Sequence, residues 1–468
     1  MTRRALFRVH SWIGVFAGLV LFVICWSGTF AVLSHEVDWL LNPDIRSKAT
    51  EGEPASWGEI ERAVQNAFPT GEITFFEAPR GPGYAAQVGV DLPEHPYLRV
   101  YVDPYTAEVS GWTSYFNVQR FFRSFHMNLF SGAVGYYVVF TFSLFLLASL
   151  ILPFFFYKRW WRGFFKLETR RGARVFWSDA HKLAGLWSAW FSLVIALTGV
   201  WYLTESLRVD VGDGKVAWSG TGEYAVNVIT PLEAARDEPE LALDEMIARV
   251  TDARPDLRVH SIWREAGYLY VDGQAGHLLV RDRANKLYLD PRTGKVAYDQ
   301  EADEQPAWWR WSDTADPLHF GDFGGLATKL IWFIFGILLS GLALTGAWLH
   351  AQRLLCDRGP RTRWRGVGVA YCATGLMLAA SVWGGFAELK SYGPLVEGVR
   401  RFPEIPLSVA LFVFGWIAVT LVIVTSWLLS VATRSIASWY RADLLPDRTR
   451  TAPFEDEPTA HHSAMAKE

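Results

Sequence analysis

The sequence predicts a polytopic α-helical membrane protein of about six spans, internally duplicated, with two α+β modules held outside the bilayer. Three observations predict it. Six apolar runs, at 12–33, 134–156, 183–204, 327–350, 367–388 and 407–430, are long enough to cross a hydrocarbon core of about 30 Å, which takes roughly 20 helical residues. Two long polar segments between them share one pattern of helix, strands and turn. Histidines stand at corresponding places in two halves of the chain. The composition agrees: 468 residues that are 51% hydrophobic and 20% charged are too apolar for a soluble globule and too charged for a bare bundle.

In chain order, MTRRALFRVH opens a run too long for a cleaved leader, and TFAVLSHE offers no small-x-small cleavage site, so residues 1–33 read as a first span that stays. Arg3, Arg4 and Arg8 precede it, and basic loops follow the second span (157–182) and the fourth (351–366). By the positive-inside rule these belong in the cytoplasm, with the tail 431–468, where Arg434, Arg441, Arg448 and Arg450 lie. The tail's prolines and acidic residues predict disorder. The segments 34–125 and 205–326 are then exported. The first runs from SWGEIERAVQNAFP to YLRVYVDPYTAEVSGW, the second from ALDEMIARVTDARP to KLYLDPRTGKVAYD. In both, alternating residues lead into an Asp-Pro-x-Thr turn, at Asp103-Pro104 and Asp290-Pro291, and each segment is expected to be a small α+β unit. Spans at 126–156, 183–204 and 327–350 flank them, and 367–430 is a two-span extension without a repeat mate.

The halves echo one another in detail. HSWIGVFAGLVLFVICWSGTF matches HKLAGLWSAWFSLVIALTGVW, each with histidine first (His10, His181), glycine four residues on (Gly14, Gly185) and a small pair further in (Ser27-Gly28, Thr198-Gly199). FHMNLFSGAVGYYVVF matches LHFGDFGGLATKLIWF, aligning His126 with His319. Taken with the two Asp-Pro-x-Thr modules, this combination over about residues 5–350 resembles the PepSY-associated transmembrane family. The resemblance implies an iron-regulated inner-membrane protein of Gram-negative bacteria with PepSY-like periplasmic modules, similar to di-haem reductases of ferric siderophores.

The residues give their own reason to expect haem. Spans one and three run outward, placing His10 and His181 at the cytoplasmic surface; spans two and four run inward, placing His126 and His319 at the periplasmic one. Two imidazoles at one depth on symmetry-related helices suit bis-histidine ligation of a b-type haem. No Cys-x-x-Cys-His sequence is present, and Cys25, Cys356 and Cys372 lie outside the exported segments, so neither covalent haem nor a disulfide framework is expected. The metal ligands expected are therefore His10, His181, His126 and His319. Arg8, Lys182 and Arg123, with Arg120, are cations near enough in sequence to meet propionates. Gly14, Gly18 and Gly185 permit close helix approach or leave room for a porphyrin face. Thirty-seven ångströms of helix, about 1.5 Å per residue from His10 to His35, carries the chain from one surface to the other. Interfacial histidines are also commonly just solvated, and duplication copies such residues too.

Weaker signals accompany these. Trp308, Trp309 and Trp311 read as an aromatic wall for a chelate or as an interfacial belt. Asp316, Asp322 and Glu36 read as proton relays or as water-facing acids. His35 and His350 read as structural. The expected function is a transmembrane di-haem b oxidoreductase that reduces a periplasmic ferric siderophore or other ferric chelate and releases ferrous iron. Its electrons would come from a quinol or a cytoplasmic reductase, because no flavin or nucleotide fingerprint is present. A non-enzymatic sensor of a periplasmic partner, and a siderophore or iron permease, are the alternatives; the spans carry few mid-depth polar residues to line a permeation path. No nucleic-acid partner is expected at a net charge of −3 without a basic stripe; membrane lipid is.

Overall fold

The computed structural model describes residues 2–48, 52–211, 231–232, 239–277, 279–356 and 362–444. Expectations for the tail beyond Leu444 fall outside these residues. The chain is a polytopic membrane protein with an α+β domain.

Helices α1 (Arg3–Phe16) and α2 (Gly18–Val32) make the first apolar run, followed by α3 (Ser34–Leu41). Helix α4 (Trp57–Ala67) and strands β1 (Glu72–Glu77), β2 (Ala86–Asp91), β3 (Leu98–Val102) and β4 (Val109–Thr113) make the first polar segment. Then come α5 (Val118–Asn128), α6 (Gly132–Phe156), α7 (Ala173–Trp187) and α8 (Ala189–Val211). The second polar segment holds α9 (Leu243–Ala253), β5 (Arg258–Glu265), β6 (Tyr268–Gln274), β7 (Lys286–Leu289) and β8 (Val296–Gln300). Helices α10 (Ala307–Phe320), α11 (Gly325–Cys356), α12 (Thr362–Ser391) and α13 (Leu407–Leu444) complete it, with a hairpin of β9 (Leu395–Val396) and β10 (Val399–Arg400) between the last two.

Five of these helices (α6, α8, α11, α12, α13) are long and apolar enough to cross a membrane. The pair α1–α2 passes the same test jointly but is bent by 63°, so the straight span expected over 12–33 is corrected. No proline causes the bend. Ile13, Ala17 and Leu21 pack on Phe142, Phe145 and Leu146 of α6, whereas Gly18 draws α2 onto α11, where an added Cβ would stand 3.2 Å from the Ala343 carbonyl oxygen. The span expected over 183–204 is likewise interrupted, at Ser188, whose buried hydroxyl donates back to the Ala184 carbonyl at 2.7 Å. Such back-bonding bends helices. His181 therefore rides on α7, and the helix after the break runs on to Val211 rather than stopping before 205.

The two polar segments are not separate units. Their strands form one antiparallel sheet, ordered β4-β3-β2-β1-β5-β6-β7-β8. The seam pairs Phe75 with Trp263, Phe76 with Ile262 and Glu77 with Ser261. Period-two alternation sorts its faces. Val88, Val90, Val100, Val102, Val271, Leu287 and Leu289 point one way, onto Ile60 and Val64 of α4 and Met246 and Val250 of α9, in a single core. Helix α4 starts at a capping box between Ser56 and Glu59, and the Asp244 carboxylate of α9 accepts from the Ser56 hydroxyl (3.0 Å) and the Gly58 amide (2.7 Å). The Asp-Pro turns form as the sequence suggests: Asp103 Oδ1 accepts from the amides of Tyr105 and Thr106, and Asp290 Oδ1 from that of Arg292.

The other face of the sheet carries Gln87, Arg99, Tyr101, Tyr270, Asp272, Lys286 and Tyr288 and turns toward the helices that lead into the spans.

Candidate functional site

His126 lies in the last turn of α5. That helix begins where it does because two side chains answer its first amides. Asn117 accepts from the Arg120 N–H (2.8 Å), and the Asp38 carboxylate on α3 accepts from Val118 and Gln119 (both 2.8 Å). It ends in a left-handed turn, with Leu129 at φ 51° and Phe130 at φ 52°, a conformation that costs a side-chain-bearing residue about 1–2 kcal/mol. Packing holds it: Leu129 is buried, and the Phe130 carbonyl sits against Gly384 of α12, where an added Cβ would come within 1.9 Å. His319 occupies the matching place on α10, which ends at Gly321 (φ 69°) beneath the Trp332 ring.

The two histidines, 193 residues apart in sequence, meet ring to ring. Their centroids are 6.1 Å apart and their planes 33° from parallel. Both reach in between the apolar helices, against Ile24 of α2 and Thr198 of α8. His126 Nδ1 lies 2.9 Å from the Ile24 carbonyl oxygen, and His319 Nδ1 2.8 Å from Thr198 Oγ1. These contacts fix the protons. A carbonyl only accepts, so His126 carries its proton on Nδ1. The Thr198 hydroxyl donates its own proton to the Val194 carbonyl at 2.8 Å, so it too accepts, from His319 Nδ1–H. On both rings the Nε2 lone pair remains for another partner. Gly28 makes the room: an added Cβ would stand 2.5 Å from His126 Cε1.

On the far side, His181 Nδ1 lies 2.8 Å from Thr345 Oγ1, and that hydroxyl donates to the Gly341 carbonyl at 2.8 Å. His181 is thus the same tautomer, and Gly346 underlies its Cε1 as Gly28 does for His126. His10 lies with its ring 5.7 Å from that of Phe156. One turn on, Gly14 faces Gly346, so α1 and α7 converge on the same turn of α11. Gly14, Gly18 and Gly185 serve helix packing here, the last against Leu342.

The residues suit a haem. Metal–imidazole bonds of about 2.0 Å on both sides of one ion, with about 1 Å more from nitrogen to ring centre on each side, put two ring centres about 6 Å apart. An Nδ1–H held by a fixed acceptor while Nε2 faces the metal is the usual arrangement of a ligating histidine. Among the described residues no three His, Cys, Asp or Glu side chains converge as a non-haem site requires.

Of the expected propionate partners, Arg8 and Arg123 are exposed and carry no ion pair among the described residues. Lys182 is taken by Asp179 at 2.9 Å. Arg120 is taken by Glu388 at 3.1 Å, and Glu388 also accepts from the hydroxyls of Ser124 (2.5 Å) and Tyr392 (2.8 Å). The extension thereby grips the helix that bears His126, and Trp416 of α13 packs among Phe30, Phe121, Phe122 and Phe125.

Each acid at the span mouths has a partner, although Asp322 and Glu36 keep part of their surface open. Asp316 accepts from Tyr202 (2.7 Å) and Arg283 (3.1 Å), Asp322 from Arg281 (3.0 Å), Asp313 from Arg283 (2.7 Å) and Glu36 from Lys329 (2.7 Å). Burial alone would raise the Asp316 carboxyl, but Arg283 and Arg281 outweigh it and hold the carboxyl below its ordinary range. Trp308 lies against Trp201, with centroids 4.2 Å apart and planes tilted by 51°, and under Arg208. The tryptophans brace α8 against α10.

Sequence reading missed Ser27, Thr198, Thr345 and Gly28 as partners of the histidines, and Asp38 and Glu388 as supports of α5. The repeated small pairs were the available signal for the first group. For the second there was none.

In a scan of protein families, the PepSY-associated TM region matches residues 7–353. No curated protein matches the chain.

Proposed function

We propose that this chain, which belongs to the PepSY-associated transmembrane family, is a di-haem b oxidoreductase that passes electrons across the inner membrane to a periplasmic ferric chelate, a siderophore complex by preference. The observation that carries the reading is the outer histidine pair: two rings 6.1 Å apart, each with Nδ1 engaged and Nε2 left over. His126 and His319 would hold one haem and His10 and His181 the other, with Arg123 and Arg8 as the nearest uncommitted cations.

When bound, haem supplies reversible one-electron chemistry at its iron. The protein's part is placement. Ile24 and Thr198 keep the outer imidazoles in the ligating tautomer, and Thr345 does the same for His181. Helices α2 and α11, packed through Gly18 and Ala347, hold the two sites at fixed depths. Counting along the third apolar run, His181 and Thr198 are 17 residues apart, about 25 Å of helix, so the two sites serve opposite leaflets. Reduction frees iron because the ferrous ion is held less tightly by hard oxygen donors than the ferric ion.

Counting the bent pair α1–α2 as one span gives six, an even number that returns both termini to the cytoplasm with the basic loops. The shared strand order of the two sheet halves supports an origin by duplication. The electron donor is a quinol or a separate cytoplasmic reductase.

The test is a reduced-minus-oxidised spectrum of the detergent-purified protein with a pyridine haemochrome count. A low-spin b-type spectrum at about two haems per chain is expected. Colourless protein from haem-replete cells would refute the proposal.

A further inference from the structure

Above the outer histidines, the sheet face turned to the spans encloses a cavity of about 30 Å³, with His35, Asp38, Glu77, Arg80, Arg99 and Tyr101 in its wall. That is room for about two waters, or for one carboxylate group. Two cations line it, Arg80 and Arg99, beside His35. The carboxylates nearby are committed: Asp38 to the amides of Val118 and Gln119, and Glu77 to Arg80 at 3.5 Å and Gln87 at 3.4 Å.

Arg99 is the telling residue. It is only 7% exposed, its guanidinium lies 4.1 Å from the Tyr115 ring centre, and Nη1 donates to Gln87 at 3.2 Å. Its buried Nε–H has no acceptor among the described residues. A buried cationic N–H without a partner is costly, and an anion in the cavity would supply one.

The other half of the chain shows what is missing. There Arg281 and Arg283 are matched by Asp313, Asp316 and Asp322. Aligning His126 with His319 puts Arg120 and Arg123 where the second half has Asp313 and Asp316. One half supplies its own carboxylates and the other has arginines in their place.

We infer that this cavity is a carboxylate-binding site in which Arg99 and Arg80 hold one carboxylate of a ligand. Two ligands offer that group: a propionate of a haem held by His126 and His319, or a carboxylate of the docked ferric chelate. Both sources rest on the function proposed above; the cavity itself does not.

The test compares wild type with R99Q and with R80Q, the latter on a side chain 41% exposed. The midpoint potential of the outer haem is measured, with KM for ferric citrate and for a ferric hydroxamate lacking carboxylates. If a propionate sits in the cavity, both variants lower the midpoint and leave both KM values alone. If the chelate's carboxylate sits there, KM for ferric citrate rises about tenfold, the hydroxamate KM holds and the midpoint holds. Midpoint and KM values unmoved in both variants overturn the inference. Should the protein purify without haem, the function proposal fails, and the cavity is read from acetate titration of the thermal midpoint at constant ionic strength. Wild type should then be protected and both variants less so; equal midpoints in all three overturn the inference.

Discussion

Replacing Thr198 by valine removes one hydroxyl and almost no volume at a residue 1% exposed. Two hydrogen bonds go with it, the donation to Val194 and the acceptance from His319 Nδ1 at 2.8 Å. A helix carbonyl that loses the first keeps its backbone partner, so the second decides the outcome. A buried imidazole N–H without an acceptor costs about 1–3 kcal/mol. At about 1.4 kcal/mol per tenfold that is roughly a 5- to 150-fold loss, which brackets the 10- to 100-fold typical when the outer partner of a ligating histidine is removed. The ring also loses what fixes its tautomer, so Nε2 is protonated part of the time. In haem titrations of the haem-depleted protein, Thr198→Val should weaken the outer site by about tenfold or more and leave the inner one alone. Thr198→Ser, which keeps the hydroxyl, should behave as wild type. Equal affinities and spectra for Thr198→Val and wild type would refute the tautomer argument and remove the main support for His319 as a ligand.

Other predictions concern neighbouring residues. His126→Ala or His319→Ala should each lower the haem count from about two per chain to about one, as should His10→Ala or His181→Ala at the inner site, read by pyridine haemochrome. Gly28→Ala puts a methyl 2.5 Å from His126 Cε1 and should cost the outer haem, whereas Gly14→Ala, with 3.9 Å to its nearest neighbour, should keep both. Glu388→Ala leaves Arg120, Ser124 and Tyr392 without their shared acceptor and should lower stability by about 1–3 kcal/mol, with a shifted outer-haem spectrum as the mark that α5 has moved. Burial, with Asp282 adding to it, pushes the Asp272 carboxyl up to about 7. Since the folded state then holds a proton that the unfolded state releases near its ordinary 3.8, stability should fall as pH rises from about 4 to about 7. Asp272→Asn should flatten that slope in a calorimetric pH series.

What could be read from the sequence was what repeats or what is locally periodic. The pairing of His126 with His319 followed from one alignment, and the strands and Asp-Pro turns followed from alternation and turn chemistry. The seam was invisible because β1 and β5 are joined by no local signal; two edges paired simply because both were open. The bend at Ala17 was invisible for a similar reason, since that run contains no proline to announce it. Ser27 and Thr198 stood in plain view as echoes, yet only their contact with the imidazoles gives them meaning. Thr345 had no echo, because the aligned place in the second span holds Leu152. The grip of Glu388 on Arg120 joins residues 268 apart and lies beyond the family match, where no repeat could point to it.

The hydrogen bonds that lock the imidazole protons bear on speed as well as affinity. Rings already held by Ile24, Thr198 and Thr345 have little orientational freedom left to surrender when a ligand arrives, and little to recover when its charge changes. A redox centre whose surroundings stay still between its two charge states has a low reorganisation barrier. On the function proposed above, the backbone carbonyl of Ile24, a group no substitution can delete, would help set how fast electrons leave the outer site.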